Sequence, residues 1–386
     1  MIELIVIGHR LSTDGSEELH FGWQSLQRQL PSSATLIRTS AKSLEALWLE
    51  AILAAQQQPN CSNGNAQVLL LAHPHVSLAP GTLEALSQQL SSLPTDALCW
   101  AYDSNHPVAH APLNYCTLRG IERYADLLNA ANAQAGPAHD GLLLFITQLA
   151  TLQKATPLNQ AQSWGVEKAF AHDFSNYHSG LRDEVIHMVP SSSCMVLDVG
   201  GGEGGFLEAL KKSHSCKTHL AEFSIQACEV ARGRVDKVWQ GDFLKSSIDE
   251  VFDCITFLDV LEHTADPLSW LVRAGSMLAP NGCIVTSIPN VGHWSVIADL
   301  LEGRWDYAPV GIHCITHLRF FTRHSIEELF RQAGFEIEHI EATVVEPPIW
   351  WQTSGMQAAT GHALRIQPDN LSAYAYLVRA KPMAHG

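Results

Sequence analysis

Apolar and polar residues alternate along the first part of this chain in short blocks that predict strands and helices in turn. Apolar runs at residues 2–7, 34–38 and 68–71 predict buried strands. Helical patterns over residues 16–30 and 43–57 separate them. Because strands and helices alternate, we expect an α/β domain with a parallel or mixed sheet.

A second α/β domain is predicted further along the chain. The periodicity is lost and the residues become polar at 157–162, which predicts a seam between domains of residues 1–156 and 163–386. Beyond the seam, strands are predicted at residues 194–199, 218–222, 252–257, 283–288, 335–344 and 373–378, with helical patterns between most of them. We therefore expect a larger, doubly wound, Rossmann-like C-terminal sheet preceded by a smaller α/β domain.

Charge and cysteine content exclude several classes of function. The 386 residues carry a formal net charge of −15 and only 16% charged residues, so no broad basic face is available for nucleic acid. No apolar run is long enough to span a bilayer, so membrane insertion is not expected. The nine cysteines form no C-x-x-C pair, which favours reduced thiols and a cytoplasmic protein. Homodimerisation stays open.

A glycine-rich turn follows the first strand of the second domain. Gly200, Gly202 and Gly204 come directly after apolar residues, where missing side chains let a ligand approach the backbone. Glu222 ends the next predicted strand, where a carboxylate can accept both hydroxyls of a ribose. Gly205 also completes a G-x-G-x-x-G pattern, so the turn alone admits a dinucleotide as readily as another nucleoside cofactor.

The acidic residues around the turn distinguish between these cofactors. Asp198 precedes the first glycine, Asp242 follows the position expected for a further strand between those at 218–222 and 252–257, and residues 253–267 read DCITFLDVLEHTADP. With residues 278–283, this pattern resembles class I S-adenosylmethionine-dependent methyltransferases of the ubiquinone-biosynthesis and MetW-like groups. The resemblance covers roughly residues 176–380, and it implies S-adenosylmethionine as the cofactor.

The resemblance also implies roles for individual residues. Asp198 and the glycines would hold the methionine and ribose parts of the cofactor, and Glu222 the ribose hydroxyls. The remaining cofactor-binding positions would be Asp242 and Phe243 at the adenine, Leu258 and Asp259 beneath the sulfonium, and Phe223. Phe243 has a plain alternative as a core residue.

Residues 287–294, 301–307 and 316–322 form an acceptor segment, which resembles a subgroup of methyltransferases often joined to, or encoded beside, glycosyltransferases. His293 and His317 are the candidate bases for an acceptor hydroxyl, although a structural, hydrogen-bonded histidine is an equal alternative. The candidate acceptor-binding residues are Trp294 and Tyr307, which can stack on a ring, and Arg304 and Arg319, which can clamp an anionic group.

The spacing of two histidines in this region also suggests a metal site. His313 and His317 stand four residues apart, as on one face of a metal-binding helix. Because the segment is predicted to be loop and strand, the spacing loses that meaning and we expect no metal. His263, after Glu262, is interpreted as a capping or packing residue.

The first domain is less informative. Residues 68–86 resemble the strand and following helix of family 2 glycosyltransferases, in which an Asp-x-Asp sequence binds the metal of the sugar nucleotide. Here His73 and His75 occupy those positions, and imidazoles do not favour magnesium or manganese. We therefore expect a degenerate domain for binding or scaffolding, with a metal-independent transferase as an alternative.

Together these features predict in-line methyl transfer from S-adenosylmethionine to a hydroxyl of a sugar, glycan or glycosylated metabolite. One alternative is N-, S- or carboxyl-methylation of a peptide or other natural product. A non-catalytic cofactor-binding scaffold is the other.

Overall fold

The computed structural model of the chain describes residues 2–8, 31–39, 41, 44–59, 64–71, 76–78, 81–94, 97–103, 144–154, 162–173, 180–305, 307, 311–314, 316–347 and 368–383. The chain divides into two compact units, Met1–Ser175 with Asp306–Pro309, and Asn176–Trp305 with Val310–Gly386. The helix predicted at 16–30, together with His73 and His75, lies outside the described residues. Within the described ranges, no helix is long and apolar enough to cross a membrane.

A mixed sheet forms the centre of the first unit. In spatial order its strands are β2 (Thr35–Arg38), β1 (Ile2–Ile7), β3 (Gln67–Leu71), β6 (Leu144–Gln148), β5 (Ala97–Asp103), β7 (Gln162–Asp173) and β4 (Val76–Leu78). Strand β1 is parallel to both its neighbours, whereas β6 is antiparallel to both of its own. The helices are α1 (Leu44–Gln56), α2 (Thr82–Ser92) and α3 (Leu149–Lys154).

Helices cover both faces of this first sheet. Because successive residues of a strand point to opposite faces, Ile5 of β1 packs in one core cluster and Val6 in another. Leu86 of α2 belongs to the first cluster, and Leu47 of α1 to the second. The strand pattern of the sequence therefore becomes a three-layer α/β arrangement.

The second unit contains a sheet of largely parallel strands. Its spatial order is β10 (Lys237–Gln240), β9 (Lys217–Glu222), β8 (Met195–Val199), β11 (Phe252–Leu258), β12 (Leu278–Pro289), β14 (Ala373–Pro382) and β13 (Phe335–Val344). Only β14 runs antiparallel to its neighbours within this sheet as described. The strand order reverses between β8 and β11, which creates a crevice at their carboxyl ends.

Local sequence signals fix where several helices of this unit begin. They are α4 (Gly205–Leu210), α5 (Ile225–Ala231), α6 (Pro267–Ser276), α7 (Trp294–Leu301), α8 (Arg323–Gln332) and α9 (Pro368–Ser372). Ser224 and Asp266 accept hydrogen bonds from the backbone N–H groups that open α5 and α6, and proline is the first residue of α6. Thr322 and Ser325 form a capping box at α8.

The predicted α/β class is confirmed for both units, and the second sheet has the predicted doubly wound order. The change of unit lies after Ser175 rather than at residues 157–162. Strand β7 is the reason, because it pairs with β5 and β4 and so belongs to the first sheet. The predicted glycosyltransferase-like character of the first domain stays a prediction.

Candidate active site

The glycine turn follows β8 and lies close to Asp198, the polar residue near the end of that strand. Gly200 and Gly202 line a cleft there, and Gly204 begins α4 with a left-handed φ of 78°. A Cβ atom on Gly201 would lie 2.0 Å from Oδ2 of Asp198, so no larger residue fits without moving that carboxylate. Gly201 is therefore the tightest position of the turn, although the sequence pattern did not single it out.

Asp198 places a buried carboxylate at the base of this cleft. Its Oδ1 accepts a hydrogen bond of 2.6 Å from Oγ1 of Thr256, whereas Oδ2 has no partner among the described residues. Burial raises the pKa of Asp198 to about 7, the Thr256 hydrogen bond opposes that rise, and the charge of Glu222 adds to it. A buried carboxylate with unused hydrogen-bonding capacity suits a ligand that brings donors or a positive charge.

Glu222 ends β9 and holds the glycine turn in place. Its two oxygens accept backbone N–H bonds from Gly202 at 3.0 Å and from Ser224 at 2.7 Å. Its side chain is 8% exposed. Because a carboxylate has about four lone-pair positions, Glu222 can keep both bonds and still accept the hydroxyls of a ribose.

The residues predicted at the adenine lie in different environments. Phe223 is 77% exposed, beside Glu222. Asp242 accepts hydrogen bonds from Lys245 and from the N–H of Leu244, which lower its pKa. Phe243 is buried in the core, 5.9 Å from Phe257 between ring centroids. The Phe243 side chain therefore packs as the core residue that the sequence left open as an alternative, and its contact with the adenine stays a prediction.

An ion pair also lines the cleft. Arg182 donates to Oδ2 of Asp259 at 2.5 Å, and Ser287 donates to Oδ1 of the same carboxylate at 2.6 Å. Arg182 and Asp259 both have left-handed backbones, with φ of 52° and 56°. Such conformations cost energy in residues other than glycine and concentrate at functional sites. The residues that line the cleft are Gly180, Arg182, Asp198, Gly200, Gly201, Gly202, Phe206, Leu258 and Asp259.

His293 is a structural residue rather than a base. It is fully buried at the N-cap of α7, where Nδ1 accepts a hydrogen bond from the N–H of Ser295. Its Nε2 lies 3.3 Å from the carbonyl oxygen of Val345, to which it can only donate. Burial lowers the pKa of His293 to about 4. With both nitrogens engaged, the predicted role of His293 as a base is wrong.

Of the predicted acceptor-binding residues, two donate hydrogen bonds to backbone carbonyls of this chain, and the other two are described by their place in the chain. Trp294 donates its indole N–H to Val345 at 2.9 Å. Arg319 donates to the backbone carbonyls of Ala265 and Leu318. Arg304 is half-buried after α7, and Tyr307 lies in the segment that groups with the first unit. None of these contacts identifies an acceptor pocket within the described residues.

His317 lies beside Glu262 and His263 and retains a free nitrogen. Its Nδ1 lies 3.0 Å from the carbonyl oxygen of Ile312 and must donate to it, which leaves the lone pair on Nε2. The His263 and His317 rings meet edge to face, with centroids 4.8 Å apart. Burial is the main cause that lowers the pKa of His317 to about 4, and the neighbouring His263 lowers it further. His317 is neutral near pH 7 and remains the predicted base.

Comparison with known proteins is consistent with this cleft. Residues 174–340 match a family model described as a methyltransferase domain. A ubiquinone biosynthesis O-methyltransferase from Cereibacter sphaeroides is 31% identical over 108 residues, covering 27% of this chain and 43% of that protein. One from Azorhizobium caulinodans is 26% identical over 201 residues, covering 47% of this chain and 74% of that protein. A solved S-adenosylmethionine-dependent methyltransferase structure from Archaeoglobus fulgidus is 18% identical with a TM-score of 0.38, covering 54% of this chain and 97% of that chain.

Residues 174–340 form a methyltransferase domain. S-adenosylmethionine, which the sequence resemblance implies, is the cofactor expected for such a domain. The chain spans less than half the length of the Cereibacter relative, at 43%. The cleft fits the cofactor because a buried carboxylate oxygen without a described partner and the Glu222 carboxylate lie at the crevice where a doubly wound sheet binds nucleosides.

Sequence reasoning missed several residues of the methyltransferase domain. Arg182 lies before the first strand of the second domain and belongs to none of the sequence motifs. Ser287 was interpreted only as part of a predicted strand and of the acceptor segment. Their proximity to Asp259 depends on pairing between β11 and β12 and on the turn before β8. Glu262 was visible in the sequence, but its burial was not.

Proposed function

We propose that this protein is an S-adenosylmethionine-dependent O-methyltransferase that modifies a hydroxyl group. The observation that carries the proposal is the Asp198 carboxylate, buried near the end of β8 with one oxygen unpartnered among the described residues. It lies in a methyltransferase domain whose curated relatives are named as O-methyltransferases. The same cleft would serve other acceptors, so the preference for oxygen depends on those relatives.

Bound S-adenosylmethionine supplies the methyl group: its S–CH₃ bond breaks as the O–CH₃ bond forms, and S-adenosylhomocysteine and the hydroxyl proton remain. The chain contributes mainly position, because an in-line displacement is accelerated by holding its two reacting centres in line. Asp198 offers an acceptor within the cleft, Glu222 offers one beside the glycine turn, and the Arg182–Asp259 pair also lines the cleft. The Nε2 lone pair of His317 is the proposed acceptor of the proton.

For the acceptor, we propose a hydroxyl of a sugar, glycan or glycosylated metabolite. The support is the acceptor segment, which resembles methyltransferases joined to glycosyltransferases, together with an α/β unit that precedes the domain. That first unit would then bind or present the glycan. A phenolic hydroxyl is the second candidate, because the curated relatives are named for ubiquinone biosynthesis.

A methyl-labelled cofactor tests both levels of the proposal. The full chain is incubated with sugars, glycans and substituted phenols, and label transfer and S-adenosylhomocysteine are measured, with Asp198→Asn as a matched control in which cofactor binding is weakened. Label in a sugar hydroxyl supports the proposal, and label only in phenols replaces its acceptor class. Cofactor binding without S-adenosylhomocysteine formation for any acceptor would instead favour a non-catalytic scaffold.

A further inference from the structure

Two cysteines lie side by side where the strands β8 and β9 begin. Cys194 directly precedes β8, and Cys216 directly precedes β9. The first pair of the parallel ladder is Met195 with Lys217, and the N–H of Lys217 donates to the carbonyl oxygen of Cys194 at 2.7 Å. In a parallel ladder this bond places Cys194 opposite Cys216. The two residues are therefore neighbours in space, although residues 195–215 separate them in the chain.

The side chains of this pair point to the same face of the sheet. Cys216 packs against the core cluster that contains Val196 of β8. Because side chains alternate along a strand, Cys194 lies on the same face as Val196, and therefore on that of Cys216. Adjacent strands lie about 4.8 Å apart, within the range of about 4.4–6.8 Å between Cα atoms that a disulfide spans. The pair thus has the spacing and direction that a disulfide needs.

The two thiols differ in exposure. Cys194 is exposed, and its Sγ makes a long hydrogen bond of 3.6 Å to the carbonyl oxygen of Ser192. Cys216 is half-buried; burial raises the pKa of its thiol, and the charge of Asp236 raises it further, whereas Lys211 opposes the rise. The thiolate is the nucleophile in disulfide exchange, so the exposed Cys194 is the thiol that reacts first with a reagent from solvent.

We propose that Cys194 and Cys216 are a reversible redox pair that forms a disulfide, with a small-molecule disulfide as the oxidant. The Cys194 thiolate attacks one sulfur of that reagent, so that a mixed disulfide forms and one thiol is released. The Cys216 thiolate then attacks Sγ of Cys194 and displaces the second thiol. Two protein thiols are oxidised, the reagent is reduced to two thiols, and the two protons from the cysteines pass to them.

A second pair of cysteines shows why exposure matters. Cys254 of β11 is the register partner of Cys283 of β12, and both pack in the same core cluster as Val196. These two side chains are 0% and 4% exposed, so a reagent in solvent does not reach them while the domain is folded. The second sheet therefore contains an accessible pair and a buried pair with the same strand relationship.

The position of the exposed pair determines what the disulfide would do. The crosslink would close a loop of residues 194–216, which contains β8, the glycine turn and α4. It would lie at the amino ends of the strands, whereas the cofactor cleft lies at their carboxyl ends. We therefore expect oxidation to stabilise the segment that carries Asp198 against unfolding and to leave cofactor affinity unchanged. This inference does not depend on methyl transfer.

Peptide mapping of the full-length protein tests the pair. Reduced protein is incubated with excess glutathione disulfide, alkylated and digested with trypsin, which places Cys194 in residues 183–211 and Cys216 in residues 213–217. The expected product is a link between these two peptides that a reducing agent removes, while the buried pair stays unlinked. The melting temperature should rise by at least about 5 °C, and affinity for S-adenosylhomocysteine should change less than about 2-fold.

Single variants identify the order of reaction. Cys216→Ser should keep glutathione on Cys194, because no second thiol resolves the mixed disulfide, whereas Cys194→Ser should leave Cys216 largely unmodified. Neither variant should gain in melting temperature. Absence of the link in the folded wild-type protein, or an equal yield of a link in the buried pair, would overturn the proposal. If a variant does not fold, the wild-type peptide map decides by itself.

Discussion

The cofactor cleft, built around Asp198, Glu222 and the glycine turn, and the acceptor segment, residues 287–322, lie in one domain but use their predicted residues differently. In the cleft, Asp198 keeps one carboxylate oxygen without a partner among the described residues, and Glu222 keeps unused lone pairs. In the acceptor segment, His293 and Trp294 both donate side-chain hydrogen bonds to the backbone carbonyl of Val345. Residue type alone therefore did not show which polar groups of the acceptor segment keep hydrogen-bonding capacity.

The difference arises from how each region is encoded. The cleft depends on backbone shape at strand ends, which glycines and a preceding acid specify locally. The acceptor segment depends on which side chains are left without partners after distant strands pack against it. Glu262 and His317 become chemically available only in that way, whereas a histidine such as His293 loses its availability.

The largest effect is expected for Gly201→Ala, which tests whether the cleft depends on backbone shape. Its Cβ would lie 2.0 Å from Oδ2 of Asp198, so affinity for S-adenosylhomocysteine should fall at least about 100-fold, or about 2.7 kcal/mol. Gly233→Ala is the control, because a Cβ there makes only an ordinary contact of 3.6 Å with Val230. Calorimetry measures both, and normal binding by the Gly201 variant would contradict the proposed geometry.

His317 and His293 allow a direct test within the acceptor segment. His317→Asn is expected to slow methyl transfer about 100-fold while cofactor affinity is kept, because the group that accepts the hydroxyl proton is lost. His293→Asn should keep the transfer rate but lower the free energy of unfolding by about 1 kcal/mol, since the bond to Val345 is lost. Single-turnover rates and urea unfolding measure the two effects. An equal loss of rate in both variants would remove the distinction.

A smaller, pH-dependent effect is expected for Asp198→Asn. Because the pKa of Asp198 rises from 3.8 to about 7 on folding, its carboxylate ionises in the folded protein only as the pH passes about 7. Affinity for the ammonium group of S-adenosylhomocysteine should therefore increase about 10-fold between pH 6 and pH 8. The variant should lose this increase.

The raised pKa of Asp198 also affects folding stability, which should fall as the pH rises, whereas cofactor affinity should increase. Between about pH 4 and pH 7 the folded protein binds the Asp198 proton more tightly than the unfolded chain, so this group makes stability fall as the pH rises. Asp198→Asn should flatten that part of the profile in thermal unfolding. A wild-type binding profile that is flat from pH 6 to pH 8 would contradict the role of Asp198.

The smallest effect is expected for Phe223→Ala at the rim of the cleft. Phe223 is 77% exposed, so its loss should change the free energy of unfolding by less than about 0.5 kcal/mol. If its ring contacts the cofactor, affinity for S-adenosylhomocysteine should fall about 3-fold. Val251→Ala, a 53% exposed side chain before β11, is the control. Identical affinities would place Phe223 outside the binding site.

Much of the second sheet was predictable because strand patterns repeat over several residues. The observed strands Lys217–Glu222 and Phe335–Val344 match their predictions within one residue. Phe243 was harder, since an aromatic residue after a strand fits an adenine contact and a core position equally well. Only its packing against Phe257 decides between them. Gly201 escaped notice because its neighbours are also glycine.

The sequence by itself determined the α/β class and the glycine turn with its neighbouring acids Asp198 and Glu222, and it indicated the kind of cofactor to expect, because those signals are local in the chain. Only the tertiary structure decided which histidine keeps a lone pair. His293 is satisfied by a carbonyl 52 positions away, and His317 is oriented by Ile312 against a buried Glu262. Hydrogen-bond partners that arrive from distant segments are not specified by local sequence, so the acceptor chemistry follows from the fold.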